Sequence, residues 1–280
     1  MRSAVIGATG IVGGYIVDRL VRNGERPIAL SRSKRGSTAK VEWFEGDLTA
    51  PEMLKFPSFT TLYCTAHAAP MAAALSSLSC ASLTRVVAFT STSIVTKAES
   101  EIGTERESIR RWAKAERELI VACERIGINW TILRPTMIYD EGRDANITRL
   151  SRLIERLGFM PLAGSGSGLR QPVHAEDLAV GALAAAASPA AVNKIYAVPG
   201  GDTITYREMV GRIFDGMHKR RRTVTVPRPL WRLAFAMARP FISDANVAMG
   251  NRMAKDMIFD PTPAMQDFGW SPRGFRPKFK

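Results

Sequence analysis

Cysteine is scarce in this chain of 280 residues, with Cys64, Cys80 and Cys123 as the three present. An odd number without metal-ligand spacing excludes a disulfide framework, suits a reducing compartment and leaves all three as packing residues. The start lacks a basic region followed by a long apolar core, so no secretory signal is expected and the cytoplasm is the expected compartment. Residues 56 to 84 contain no Asp, Glu, Lys or Arg. That stretch is still too polar for a membrane span: Ser, Thr, His67 and Pro70 interrupt it. Its first part alternates like a strand, and Met71–Leu83 reads as an Ala/Ser/Leu helix. Acid is also scarce, 26 Asp and Glu against 39 Lys and Arg, for a net charge of +13. Such a field suits anionic partners. Nucleic acid is not the expected one, because the cations are scattered and the dense run Lys219-Arg220-Arg221-Arg222 has no aromatic-rich stacking surface around it. Most of these charges read as solvated surface, and a phosphorylated small molecule fits the remainder.

What is present starts at the N-terminus with GATGIVGG, residues 7 to 14. Spaced glycines alone are weak, since glycine marks any tight turn. Here Ser3–Ile6 is a short apolar run ending at Gly7, and Ile16, Leu20 and Val21 recur at helical spacing. Strand, turn and helix follow in order, which aims the unpaired N–H groups and positive dipole end of the helix at whatever lies above the strand. Gly7 would permit the turn, Gly10 the close approach of a pyrophosphate, and Gly13 the packing of helix on strand. The competing reading is an ordinary strand-to-helix turn.

Strand-like runs recur with helical segments between them: Ser3–Ile6, Pro27–Leu30, Val41–Glu45, Thr61–Thr65, Val86–Ser91, Trp130–Arg134 and Lys194–Val198. The alternation predicts an α/β fold, a doubly wound parallel sheet with the ligand crevice at the carboxyl ends of its strands. After Arg134 the texture changes, with Pro135, Pro161 and the Gly/Ser-rich loop Ala163–Gly168. Residues 1–136 plus 174–199 are expected to form the dinucleotide-binding domain, and 137–173 plus 200–280 a small substrate-side lobe.

The second strand closes on Ser31-Arg32-Ser33-Lys34-Arg35, with no acid. An acidic side chain there would select the free ribose hydroxyls. Arg32 instead suits a ribose phosphate, with Ser31, Ser33 and Lys34 as further donors, so NADP(H) is favoured over NAD(H). The alternative is a solvated basic loop.

Five features then stand in order: GATGIVGG, Gly46-Asp47-Leu48, the cluster Thr90-Ser91-Thr92-Ser93, Leu133-Arg134-Pro135-Thr136, and the run Arg170 to Leu178. Together they resemble the extended short-chain dehydrogenase/reductase superfamily, and within it the atypical members similar to nucleoside-diphosphate-sugar epimerases and dehydratases. The resemblance implies a Rossmann domain. It puts Gly7, Thr9, Gly10, Ile11, Val12 and Gly13 at the pyrophosphate and Asp47 and Leu48 at the adenine. Thr65, Ala66 and His67 would pass under the cofactor, and Pro135 and Thr136 would lie by the nicotinamide. It implies that Thr92 holds the substrate oxygen and that Arg170 meets a substrate phosphate. Asp177 reads as the cap of a helix Leu178–Ala187, and His174 as a packed histidine rather than a base.

The chain departs from the family at its catalytic pair, a Tyr followed four residues later by Lys. Lys114 matches the lysine, whereas the tyrosine position holds Arg110. A guanidinium stays protonated and supplies no proton, though it polarises a carbonyl or binds an anion. Lys114 either keeps the contact to the nicotinamide ribose or is a solvated lysine paired with glutamate. Tyr139, after the sixth strand, is the remaining candidate donor. Pro229–Arg239 reads as an amphipathic helix, and a peripheral membrane contact through 228–242 is weighed against packing on its own domain. The expectation is an NADP(H)-dependent oxidoreductase or epimerase/dehydratase-like enzyme, monomer or homodimer, acting on a small carbonyl, hydroxyl or nucleotide-sugar substrate. The alternative is a catalytically silent NADP(H)-binding sensor or assembly factor.

Overall fold

The computed structural model describes residues 2–54, 56–78, 81–227, 230–231, 250 and 252–279. The amphipathic helix expected over 229–239 lies outside the described residues except at Leu230 and Trp231, and so does Cys80. The chain divides into two compact units: Met1–Thr136, Ala175–Val198 and Asp260–Ser271 form the first, and Met137–His174, Pro199–Phe259 and Pro272–Lys280 the second.

In the first unit the short apolar runs become seven strands: β1 (Ser3–Ile6), β2 (Ile28–Ser31), β3 (Glu42–Glu45), β4 (Thr61–Cys64), β5 (Arg85–Phe89), β6 (Asn129–Pro135) and β11 (Lys194–Val198). They pair in the order β11-β6-β5-β4-β1-β2-β3, every pair parallel. The doubly wound sheet read from the alternation is therefore present. Strands covered by helices on both faces carry apolar runs, and Val5, Ile28, Leu62, Val86 and Ile132 are fully buried. Helix α1 (Ile11–Arg22) packs with α6 (Ala175–Ala187), and α2 (Ala68–Leu78) with α4 (Gly103–Arg125). Because the chain winds outward from β1 to β3 and then from β4 to β11, its direction reverses between β1 and β4, where such sheets hold their ligands.

Several boundaries differ from expectation, among them His174 and Pro199, which were expected in the dinucleotide-binding domain and fall in the second unit. Helix α2 begins at Ala68 rather than Met71, since Pro70 in a first turn removes only an N–H that has no intrahelical partner. Helix α6 begins at Ala175, so Asp177 lies inside its first turn with Glu176 rather than capping it. There its charge still meets the positive end of the helix. Asp260–Ser271, expected in the lobe, belongs to the first unit. Its helix α8 (Thr262–Phe268) is held by Asp267, whose carboxylate accepts from Lys194 Nζ at 2.8 Å and from the Tyr196 hydroxyl. Trp270 then covers Gly181 of α6, where a Cβ would come within 2.4 Å of the indole.

The second unit is built on α5 (Ile147–Leu157) and α7 (Tyr206–Gly216), which bury Leu150, Ile154, Val210, Ile213 and Phe214 with Phe275. Asp144 caps α5, accepting from the N–H groups of Asn146 and Ile147 at 2.6 Å each. Thr205 caps α7 by accepting from Glu208 N at 3.0 Å. Three two-stranded ladders complete it: β7 (Ile138–Tyr139) with β10 (Val173–His174), β8 (Met160–Ala163) with β13 (Thr223–Val226), and β9 (Leu169–Arg170) with β12 (Ile204–Thr205).

Candidate functional site

All strands of the large sheet run the same way, so the residues that follow them collect at one edge. Gly7, at φ +80°, turns the chain out of β1 into α1 at the reversal point. Thr65, just past β4, donates its hydroxyl to the carbonyls of Ile6 at 3.2 Å and Gly7 at 3.1 Å. The two strand ends are thus tied together beneath the turn. A Cβ at Gly7 would lie 2.5 Å from Thr65 Oγ1, and one at Gly13 would lie 2.1 Å from the Gly7 carbonyl oxygen, so both glycines are required by the protein itself.

Gly10 is different. Its Cβ would meet the Gly7 carbonyl oxygen alone, at 3.2 Å, and otherwise point into open space. It is the N-cap of α1 and carries no side-chain cap. Its own N–H is taken by Gly7 O and the first helical bond runs from Gly14 N to Gly10 O, so the N–H groups of Ile11, Val12 and Gly13 precede the intrahelical ladder. Exposed Thr9 and Gly10 border this opening, and no acid stands in the first turn of α1. A cradle without side chains, lined by N–H groups at the positive end of a 12-residue helix, suits a phosphate group.

On the β2–β3 side, Ser31 is buried and accepts from Ser33 N at 3.2 Å, which shapes the turn that leaves Arg32 exposed. Asp47 follows β3. The N–H and hydroxyl of Thr49 hold its carboxyl below the usual range, and the nearby Arg32 guanidinium adds to this. Leu48 is buried under the loop. On the β4–β6 side lie Ala66 and His67 after β4, Thr92 after β5, and Pro135 and Thr136 at the end of β6. The Thr92 hydroxyl donates to the Pro135 carbonyl at 2.9 Å, joining the ends of β5 and β6.

Helix α4 places its side chains differently from expectation. Glu116, only 3 % exposed, accepts from Arg134 Nε at 3.0 Å, from Arg134 Nη2, and from the Thr90 hydroxyl at 2.6 Å. This pair sets the rotation of the helix against β5 and β6. Ile109, Glu116, Leu119 and Cys123 then face inward, and Trp112 falls on the same stripe. At 100° per residue Arg110 and Lys114 sit about 160° from Trp112. Both are exposed, and Lys114 Nζ lies 3.5 Å from Glu118 with 71 % of its side chain exposed. The expected pair therefore stands on the outer face of α4, because an i, i+4 spacing fixes two residues relative to each other and not to the sheet. The inward positions four apart are Ser108 and Trp112. Sequence reading missed Trp112 and Glu116, although an acid on an otherwise apolar helical stripe signals a buried partner.

Two further expected residues lie in the second unit. Tyr139, 1 % exposed, packs edge-on against the rings of His174 at 5.1 Å and Phe275 at 4.9 Å. Arg170 is buried and donates Nη1 to the carbonyls of Leu169 and Lys255, each at 2.7 Å, and Nη2 to that of Arg252. His174 Nε2 lies 3.5 Å from Glu141. Burial pushes the Glu141 carboxyl up, but His174 and the N–H groups of Glu141 and Lys278 outweigh it and hold it below its ordinary value. Asp140, Glu141 and His174 approach one another closely, with Arg143 supplying the cation 3.0 Å from Asp140. The thiols of Cys64 and Cys123 are pushed up to about 12 by burial, which leaves them inert packing groups. Among the described residues no helix is long and apolar enough to cross a membrane.

The profile of a family described as NAD(P)H-binding matches residues 7–156. Over 261 residues, 85 % of this chain and 62 % of the relative, the sequence is 26 % identical to the mitochondrial NADH dehydrogenase [ubiquinone] 1 alpha subcomplex subunit 9 of Arabidopsis thaliana. It is 22 % identical to UDP-glucose 4-epimerase of Vibrio cholerae over 160 residues, 57 % of this chain and 47 % of that protein. The chain thus spans less than two thirds of both curated relatives. The structure of UDP-glucuronic acid 4-epimerase from Bacillus cereus in complex with UDP-glucuronic acid and NAD superposes with a TM-score of 0.72 at 12 % identity, covering 98 % of this chain and 94 % of that one.

Proposed function

The chain belongs to the NAD(P)H-binding family and has the fold of the extended short-chain dehydrogenases/reductases; from that premise we propose that it binds NADP(H) across the carboxyl edge of its seven-stranded sheet. The observation that carries the reading is Gly10, whose Cβ would meet the Gly7 carbonyl oxygen at 3.2 Å and otherwise point into open space, which leaves room for a phosphate above the turn. Ile11, Val12 and Gly13 supply N–H donors to the pyrophosphate. Thr65, Ala66 and His67 flank it. Arg32, with Ser31 and Ser33 in its turn, takes the 2′-phosphate, and Asp47 and Leu48 border the adenine. When bound, the dinucleotide offers a hydride.

On the other side, α4 brings no phenol or ammonium to that edge, so proton transfer of the family's kind has no donor there. Binding without efficient turnover, as a sensor or assembly factor, is the function this geometry supports best. A second reading, an oxidoreductase or epimerase-like enzyme for a small carbonyl or nucleotide-sugar substrate, is favoured by the substrate-side unit, which the likeness to a UDP-sugar epimerase covers along with the sheet. It would rely on Thr92, beside Pro135 and Thr136, to hold a substrate oxygen in place of the Pro135 carbonyl that its hydroxyl meets here.

Calorimetric titration with NADPH and NADH tests the first reading. NADPH should bind more tightly, Gly10→Val should remove the binding heat from a protein with an unchanged melting temperature, and absence of binding by the parent chain would overturn it. NADPH oxidation with a panel of ketones, aldehydes and nucleotide-sugars separates the second reading. Steady turnover that Thr92→Ala abolishes would favour the enzyme.

A further inference from the structure

Helix α4 is too long for the sheet it crosses. Its 23 residues span about 34 Å, whereas β5 and β6, with 5 and 7 residues, span about 17 and 23 Å. Because α4 leads from β5 to β6, its first turns overhang the carboxyl edge. Residues of the inward stripe are buried where the sheet lies beneath them, as at Leu119 and Cys123. Trp112 stands on that stripe one turn before Glu116 and is 37 % exposed, whereas Ile109, a turn earlier on the same stripe, is 4 % exposed. Among the described residues its ring partner is His67, at 5.6 Å between centroids and 68° between planes, and His67 follows β4 and is itself exposed. An aromatic side chain at a ligand edge with part of its ring uncovered offers a surface against which a planar ring stacks.

Position in the sheet says which part of the occupant this is. The phosphate cradle is at β1, Arg32 and Asp47 are at β2 and β3, and His67 and Trp112 are on the opposite side, by β4 and β5. A dinucleotide centred on the cradle with its adenosine toward Arg32 extends its other half toward Trp112.

We infer that Trp112, backed by His67, is the aromatic contact for the nicotinamide half of the bound dinucleotide. The inference rests on the NADP(H)-binding reading and deepens it. An indole offers a flat apolar face and one N–H donor that does not titrate near neutrality. It holds the ring and moves no proton, in keeping with a cofactor retained rather than turned over.

The test uses the full chain and three probes: NADPH, NADH and 2′,5′-ADP, which carries the adenosine half alone. Excitation of tryptophan should sensitise emission from bound NADPH, and Trp112→Phe should bind NADPH within about threefold of the parent while losing most of that signal. Trp112→Ala should weaken NADPH by about tenfold, the size of one stacking contact, and leave 2′,5′-ADP unchanged. Equal NADPH affinity and equal sensitised emission in parent and Trp112→Ala would overturn the inference while the cofactor reading stands. Equal losses on NADPH and 2′,5′-ADP would overturn the assignment to the nicotinamide half. Failure of the parent to bind any of the three would overturn both readings. Circular dichroism and melting of each variant, with Trp112→Phe as the conservative one, separate lost binding from lost folding.

Discussion

At the scale of single residues, the glycines of the first turn divide by what stands above them. Gly13→Val forces a side chain onto the Gly7 carbonyl, where even a Cβ comes within 2.1 Å. It should lower stability by about 3 kcal/mol or more, as overpacking against backbone does. Gly10→Val meets little protein and should melt near the parent temperature while failing to bind NADPH. The pair is checked by thermal melts beside calorimetry; a Gly13→Val protein as stable as the parent would mean that the turn is looser than described. Arg32 acts later, on the choice between cofactors. Removing one charge-assisted contact costs about 1.5–3 kcal/mol, so Arg32→Ala should weaken NADPH roughly ten- to a hundredfold and leave NADH nearly untouched. Equal effects on the two would assign Arg32 to the general basic surface.

At the scale of an element, α4 is positioned by one buried acid. Glu116 holds Arg134 and Thr90 in the same network, and Arg134 is itself mostly covered. Glu116→Ala strands a guanidinium under the helix and should cost about 3 kcal/mol, measured by urea unfolding. Glu116→Gln, which keeps the shape and some hydrogen bonds, should cost less. A loss below 0.5 kcal/mol for Glu116→Ala would show that other contacts set the helix. On the outer face the outcome is the opposite: Arg110→Ala and Lys114→Ala should stay within about 0.5 kcal/mol of the parent and bind NADPH normally. A tenfold loss of NADPH affinity in Lys114→Ala would mean that α4 turns its other side to the cofactor.

At the scale of the whole molecule, the charge imbalance of +13 makes the few acids matter. In the second unit, burial pushes Asp202 up, but hydrogen bonds from Arg212, Arg276 and the Phe275 N–H hold it below 3.8. Arg212 and Arg221 lower Glu208 from 4.5, and Arg221 lowers Asp215. In the first unit Lys194 and Tyr196 lower Asp267. Each of these carboxylates is more acidic folded than unfolded. Their stabilisation is fully present above the unfolded values near 4 and is lost as pH falls through the lower folded values. Protonation also raises the net positive charge and its self-repulsion. Melting temperature should be nearly level from pH 7 to 5 and fall steeply below about 4, with added salt softening the fall. A melting temperature unchanged down to pH 3 would mean these pairs contribute nothing.

The amino-acid sequence by itself determined the strands and the first turn, because both are local. Apolar runs such as Ser3–Ile6 and Lys194–Val198 are short and bounded, and in GATGIVGG the conformational demand falls on glycines at the start of the helix that follows. Parallel pairing follows from the helices between the runs. The open space above Gly10 was legible for the same reason. Tertiary structure decided what depends on distant partners. The rotation of α4 follows from Glu116 meeting Arg134, which turns Trp112 inward and Arg110 and Lys114 outward. Asp260–Ser271 joins the first unit because Asp267 finds Lys194 and Trp270 finds Gly181. Tyr139 and Arg170 become core residues of the second unit through Phe275 and the Lys255 carbonyl. Helical and strand periods give the angle between neighbours along a chain, and only burial against elements far away in sequence says which of those angles faces the sheet.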